Sequence, residues 1–116
     1  MATDYDTKMW NALQELRDAL DKKFAQDIIV MDLSNVTAIA DYFVIATGGS
    51  APQMQALAET TEEVMVKHEI PLHHTEGIQG GQWMLLDFGG IMVHLFDKES
   101  RQFYQLERVW GDAKMV

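Results

Sequence analysis

Several residues in this sequence have the types and spacing that chemistry could use. Thr47-Gly48-Gly49-Ser50 stands between an apolar run and a helical pattern, and backbone N–H groups at a helix N-terminus hold anions well. No Gly-Lys-Ser/Thr follows, so this is not a P-loop, and the glycines do not have dinucleotide-fingerprint spacing. His73 and His74 lie beside Glu76, with His68 nearby. Adjacent histidines on an extended segment point to opposite faces and cannot easily share one ion, so solvated loop histidines are expected. His94 could meet Asp87, but no nucleophile-elbow sequence accompanies them. Asp32 and Asp41 flank apolar runs and suit turn caps better than an acid–base pair. No convincing active site emerges, and neither a metal nor a cofactor is expected.

The Gly48–Ser50 turn does resemble the Gly-Ser corner of nucleotidyltransferases. Those enzymes need a close pair of carboxylates soon afterwards to hold metals for phosphoryl transfer. Here Ala51-Pro52-Gln53-Met54-Gln55-Ala56-Leu57-Ala58 follows, with no such pair. A structural turn with a helix cap is the better reading, and an unusual nucleotidyltransferase is the competing one.

The clearest pattern is Trp83 to Phe96, two apolar strands joined at Gly89-Gly90. A Gly-Gly pair suits a two-residue primed turn with positive φ. With the glycines as the loop, Phe88 faces Ile91, Leu86 faces Val93 and Met84 faces Leu95, an apolar set that belongs on a core. Alternation puts Trp83, Leu85 and Asp87 on the other face with Met92, His94 and Phe96. An indole, a carboxylate and an imidazole among apolar residues fit an interface anchor region. A sheet covered on both sides, with Asp87 and His94 near its edge, fits equally well.

Other elements must position this hairpin. Met9, Leu13, Leu16, Leu20 and Phe24 recur at helical spacing. Asp27–Leu33 and Asp41–Thr47 read as strands. Ser50 can cap a helix with Pro52 in its first turn, carrying Met54, Leu57, Thr61, Val64 or Met65, and His68 on one side, and ended by Pro71. Leu72–Thr75 fits a short strand, and Gly77, Gly80 and Gly81 mark a loop. Ser100 to about Trp110 reads as a last helix with Phe103, Leu106 and Val109 or Trp110 inward. The order predicts one α/β (α+β layered) domain over residues 1–116, with a mixed sheet of about five strands flanked by helices.

Nine basic residues face eighteen acidic ones, a formal net charge of −9. That balance disfavours direct nucleic-acid binding and would steer a basic protein partner, although acidity also serves solubility alone. With no cysteine, disulfides and thiolate chemistry are excluded. No apolar run is long enough for a membrane span, and Met1–Asp6 resembles neither a signal nor a transit peptide, so a cytoplasmic location is expected.

Asp41-Tyr42-Phe43-Val44-Ile45-Ala46-Thr47-Gly48 with Ser50, then Glu76-Gly77, Trp83, Leu86-Asp87-Phe88-Gly89, Val93-His94-Leu95-Phe96, and Arg101-Gln102-Phe103-Tyr104-Gln105-Leu106-Glu107 with Trp110 strongly resemble the ribosomal silencing factor (Iojap-like) family, over nearly the whole chain. The resemblance implies a nucleotidyltransferase-like fold without the catalytic carboxylates, and a non-enzymatic factor of the bacterial type. It implies docking on the large ribosomal subunit through a ribosomal protein of the uL-fourteen type, which blocks subunit joining and represses translation when nutrients are scarce. A role in large-subunit assembly is the alternative. Placed on the hairpin, this makes Trp83 and Leu85 apolar anchors and Asp87 a contact for a partner Lys or Arg. Met92, His94 and Phe96 would extend the face, and Met84 and Phe88 would join at the rim. Arg101 is expected to pair with Asp97 or Asp87, and Tyr104 to pack on the sheet. An exposed apolar face would also invite a homodimer in the free state.

Overall fold

The computed structural model describes residues 4–77, 82–111 and 113–116. The elements run α1 (Asp4–Lys22), β1 (Gln26–Asp32), β2 (Tyr42–Thr47), α2 (Ala51–Lys67), β3 (His74–Glu76), β4 (Trp83–Asp87), β5 (Ile91–Phe96), α3 (Lys98–Tyr104), α4 (Leu106–Val109) and β6 (Lys114–Met115). The strands form one mixed six-stranded sheet in the order β3-β4-β5-β2-β1-β6. β2 and β5 run parallel, joined by a connection that includes α2, and the other neighbours are antiparallel. The sixth strand was not expected: β6 pairs only Lys114 and Met115 with the edge of β1, too few residues for a periodic signal.

The β4–β5 hairpin has the expected register, with Leu86 opposite Val93 and Met84 opposite Leu95. Phe88 N–H donates to Ile91 O at 2.9 Å across the two glycines. Only Gly89 has positive φ, at 83°, the pattern of a II′ turn. A Cβ at Gly90 would lie 2.2 Å from the Tyr5 hydroxyl, so a side chain there would displace that ring. That hydroxyl donates to Asp41 Oδ2 at 2.8 Å. Partial burial and this bond push the Tyr5 pKa up to about 12.

Alternation divides the sheet into two faces. Val30, Val44, Ala46, Met84, Leu86, Phe88, Ile91, Val93 and Leu95 pack under α1 and α2 in the larger core. Met31, Phe43, Ile45 and Phe96 form a smaller core on the opposite face, with Leu33 and Ala40, partly closed by Leu106 and Trp110. The first face is buried beneath two long helices; the second has a short cover that leaves part of β4 and β5 accessible.

Helix ends depart from the periodic expectation. α1 stops at Lys22, Phe24 takes φ 65°, and Ala25 N–H returns to Leu20 O at 3.0 Å. This Schellman turn reverses the chain, so Phe24 leaves the apolar stripe and is 81% exposed. α2 closes the same way through Glu69 (φ 59°), with Ile70 N–H on Met65 O at 2.9 Å, before Pro71 is reached. The expected last helix is two pieces: Asp97 caps α3, accepting from Ser100 N–H at 2.7 Å, and Gln105 at φ 46° separates α3 from α4. The break rotates one face relative to the other, so Phe103 and Val109 are exposed while Leu106 and Trp110 point inward. Of the expected loop glycines, Gly80 and Gly81 lie outside the described residues.

Candidate functional site

The Gly48–Ser50 corner is occupied by its own chain. Gly48 N–H donates to Phe96 O at 2.9 Å, and Gly49 N–H donates to Gln53 Oε1. Ser50 Oγ accepts from Gln53 N–H at 3.2 Å, the cap expected from sequence. Gln53 Nε2 then ties the corner to the turn that follows α1 by donating to Phe24 O at 2.9 Å and Lys23 O at 3.1 Å. The Gly48, Gly49 and Gln53 amides, which a phosphate at this corner would draw on, are thus already bonded. Thr47, just before the turn, accepts from Arg101 Nη1 at 2.9 Å in a buried contact. Arg101 therefore does not pair as expected. Its Nε lies 3.4 Å from Glu107 Oε1, while the Asp97 and Asp87 carboxylates serve Ser100 N–H and Gly89 N–H.

The histidines are also dispersed. His68 meets Glu15 at 3.1 Å, bridging α2 to α1, and His74 meets Glu76 at 3.1 Å on β3. His73 lies instead against Gly89. Among the described residues, no group of three or more histidines and carboxylates could hold a metal ion. Asp32 caps a turn, accepting from Ser34 N–H at 3.0 Å.

Trp83, Leu85, Asp87 and Met92 come together, half-buried, on the partly covered face. The Trp83 ring stacks on Phe96 at 5.0 Å and meets Tyr104 at 4.8 Å, so Tyr104 packs here as expected. Trp83 Nε1–H donates to His94 Nδ1 at 3.2 Å, which assigns the His94 proton to Nε2. Nε2 is buried, with no hydrogen-bond partner among the described residues. Burial alone lowers the His94 pKa to about 4, so the ring is neutral near pH 7. The indole is therefore held on a rigid shelf of Phe96, His94 and Tyr104.

The other sequence-assigned residues need correction. Met84 and Phe88 are 2% and 3% exposed in the helix-side core and cannot reach the rim, because alternation turns them away from Trp83. His94 and Phe96 share its face but are 5% and 0% exposed. They support Trp83 from beneath and do not extend the accessible surface. Sequence reasoning missed Glu76, which lies opposite Leu85 on the neighbouring strand and lines a cavity of about 160 Å³ with Gly77, Trp83 and Leu85. It also missed the exposed Phe103, 5.0 Å from Tyr104.

Fold and face together define a layered α+β protein with an aromatic-centred surface patch. The family model described as "Ribosomal silencing factor during starvation" matches residues 6–116. Ribosomal silencing factor RsfS of Halalkalibacterium halodurans is 36% identical over 104 residues, 90% of this chain and 89% of that protein. The mouse protein named "Mitochondrial assembly of ribosomal large subunit protein 1" is 33% identical over 90 residues, 74% of this chain but 39% of its own length. A crystal structure of a Chromobacterium violaceum protein superposes with a TM-score of 0.82 at 29% identity, covering 88% of this chain and 85% of that one. This chain belongs to the ribosomal silencing factor family.

Proposed function

We propose that this protein acts by docking, not by catalysis. The face around Trp83 binds the large ribosomal subunit through a basic ribosomal protein of the uL-fourteen type, at the surface that would meet the small subunit. Occupying that surface blocks subunit joining and represses translation under nutrient limitation. The observation that carries this reading is the half-buried Trp83, fixed by Phe96, His94 and Tyr104 beside Leu85, Asp87 and Met92. A rigid aromatic anchor loses little entropy on binding, as a steric blocker requires. In the free protein, the same patch would meet a second copy.

Co-sedimentation with isolated large and small subunits, followed by a joining assay, tests the reading. Binding to the large subunit alone, with fewer joined ribosomes, is expected. Trp83→Ala should cost about 2 kcal/mol or more of affinity, and Leu85→Arg should weaken binding as well. Circular dichroism would verify that each variant is folded, and wild-type binding by both would remove this face as the interface. The name of the mouse relative favours a second reading, assembly of the large subunit. Subunit binding without loss of joining would select it. A nucleotidyltransferase role predicts Ser50-dependent binding of nucleotide and magnesium; with the Gly48 and Gly49 amides already bonded, a flat calorimetric titration is expected.

A further inference from the structure

Between Lys67 and Lys98 the sequence contains neither lysine nor arginine, and this interval supplies all of β3, β4 and β5. On the β3–β4 ladder, His74 lies opposite Asp87 and Glu76 opposite Leu85. Directly opposed residues project to the same side of a sheet, so Glu76 and Asp87 flank Leu85 on the Trp83 face. The cavity of about 160 Å³ lies there, lined by Glu76, Gly77, Trp83 and Leu85. The Asp87 carboxylate is engaged by Gly89 N–H at 2.8 Å. Glu76 meets His74 at 3.1 Å, and both side chains are largely open to solvent, at 64% and 56%. Among the described residues, no lysine or arginine pairs with Glu76.

An apolar side chain entering this cavity would leave the Glu76 charge with no cation beyond His74, and an acidic one would be repelled. A long cationic side chain satisfies both walls, because its hydrocarbon stem packs on apolar surface while its head reaches the charge. We propose that this pocket seats one lysine or arginine side chain of the protein partner, its stem against Trp83 and Leu85 and its cationic head on Glu76. The proposal rests on the reading of this face as the ribosome-docking surface and adds Glu76 as a residue that selects a basic partner.

The test is equilibrium binding of the full chain to isolated large subunits. Four variants are compared with wild type: Glu76→Gln, Glu76→Lys, Trp83→Ala and Glu62→Gln. Glu62 is exposed on the outer side of α2, so its variant removes the same charge from another element. Glu76→Gln should weaken binding about tenfold and Glu76→Lys further, while Glu62→Gln stays within about twofold of wild type. Wild-type binding by both Glu76 variants, with Trp83→Ala weakened, would overturn the pocket and leave the docking face standing. Wild-type binding by all four would overturn the docking face and the pocket with it. Equal loss in Glu62→Gln and Glu76→Gln would overturn the local seat in favour of a general field. Glu76 is exposed on a short edge strand, so none of its variants removes a packed side chain.

Discussion

His94 is a titratable group enclosed by aromatic rings, with Phe43 4.6 Å away and Trp83 donating to its Nδ1. Burial lowers its pKa from 6.5 to about 4. Well above pH 6.5 both folded and unfolded chains carry it neutral, and it contributes no pH dependence. As pH falls from 6.5 towards 4, the unfolded chain binds a proton that the folded chain refuses, so stability is lost. The full loss is about 3 kcal/mol, because each tenfold weakening of proton binding is worth about 1.4 kcal/mol. Urea unfolding at pH 7 and 4.5 should show wild type losing more stability than His94→Gln, whose amide does not titrate. Parallel losses would show that His94 is not the group responsible. Which face His94 shares was legible from strand alternation. Its burial was not, because that depends on Phe43 of β2, from a distant part of the sequence, closing on the ring beside Trp83 and Phe96. The Arg101–Thr47 contact escaped for the same reason: it joins residues 54 positions apart.

Element boundaries here are set by backbone reversals that apolar periodicity does not report. Phe24, Glu69 and Gln105 adopt positive φ at helix ends, where glycine is the usual choice. The sequence showed helix, strand and hairpin interiors because burial imposes their periods. It did not show these ends, since nothing in the residue types marks them as left-handed. Long stripes were therefore extended one step too far, into Phe24 at one end and across Gln105 at the other. Gln105→Gly should raise stability by about 1 kcal/mol by relieving the side-chain penalty in that conformation. The gain is largest if the added freedom of the unfolded chain is small. Chemical denaturation of the variant checks this, and a loss of stability would mean that the Gln105 side chain contributes more than its backbone costs. The docking candidates were legible only to the level of a face. Trp83, Leu85, Asp87 and Met92 follow from alternation, whereas Glu76 needed the pairing of β3 with β4, which the short His74–Glu76 strand does not announce.

At the scale of the molecule, charge and shape act on association in different ways. The formal net charge is −9, and the extents are 41 × 31 × 24 Å. Charges on the far side of such a body lie several screening lengths from the Trp83 face at physiological salt, where the Debye length is about 8 Å. In the proposed docking they would steer a basic partner during approach but add little once contact is made. Contacts at Trp83 and Leu85 in that proposed docking are apolar and short-ranged, and they would govern how long a complex lasts. Raising salt from about 50 to 200 mM should therefore slow association with the large subunit severalfold. Dissociation should change much less, except for the share carried by a cation at Glu76. Stopped-flow measurements on wild type and Trp83→Ala separate the two effects. Both proteins should show the same salt slope in the association rate, and Trp83→Ala should dissociate faster at every salt concentration. A salt dependence confined to dissociation would mean that the acidic field does not guide encounter and serves solubility alone.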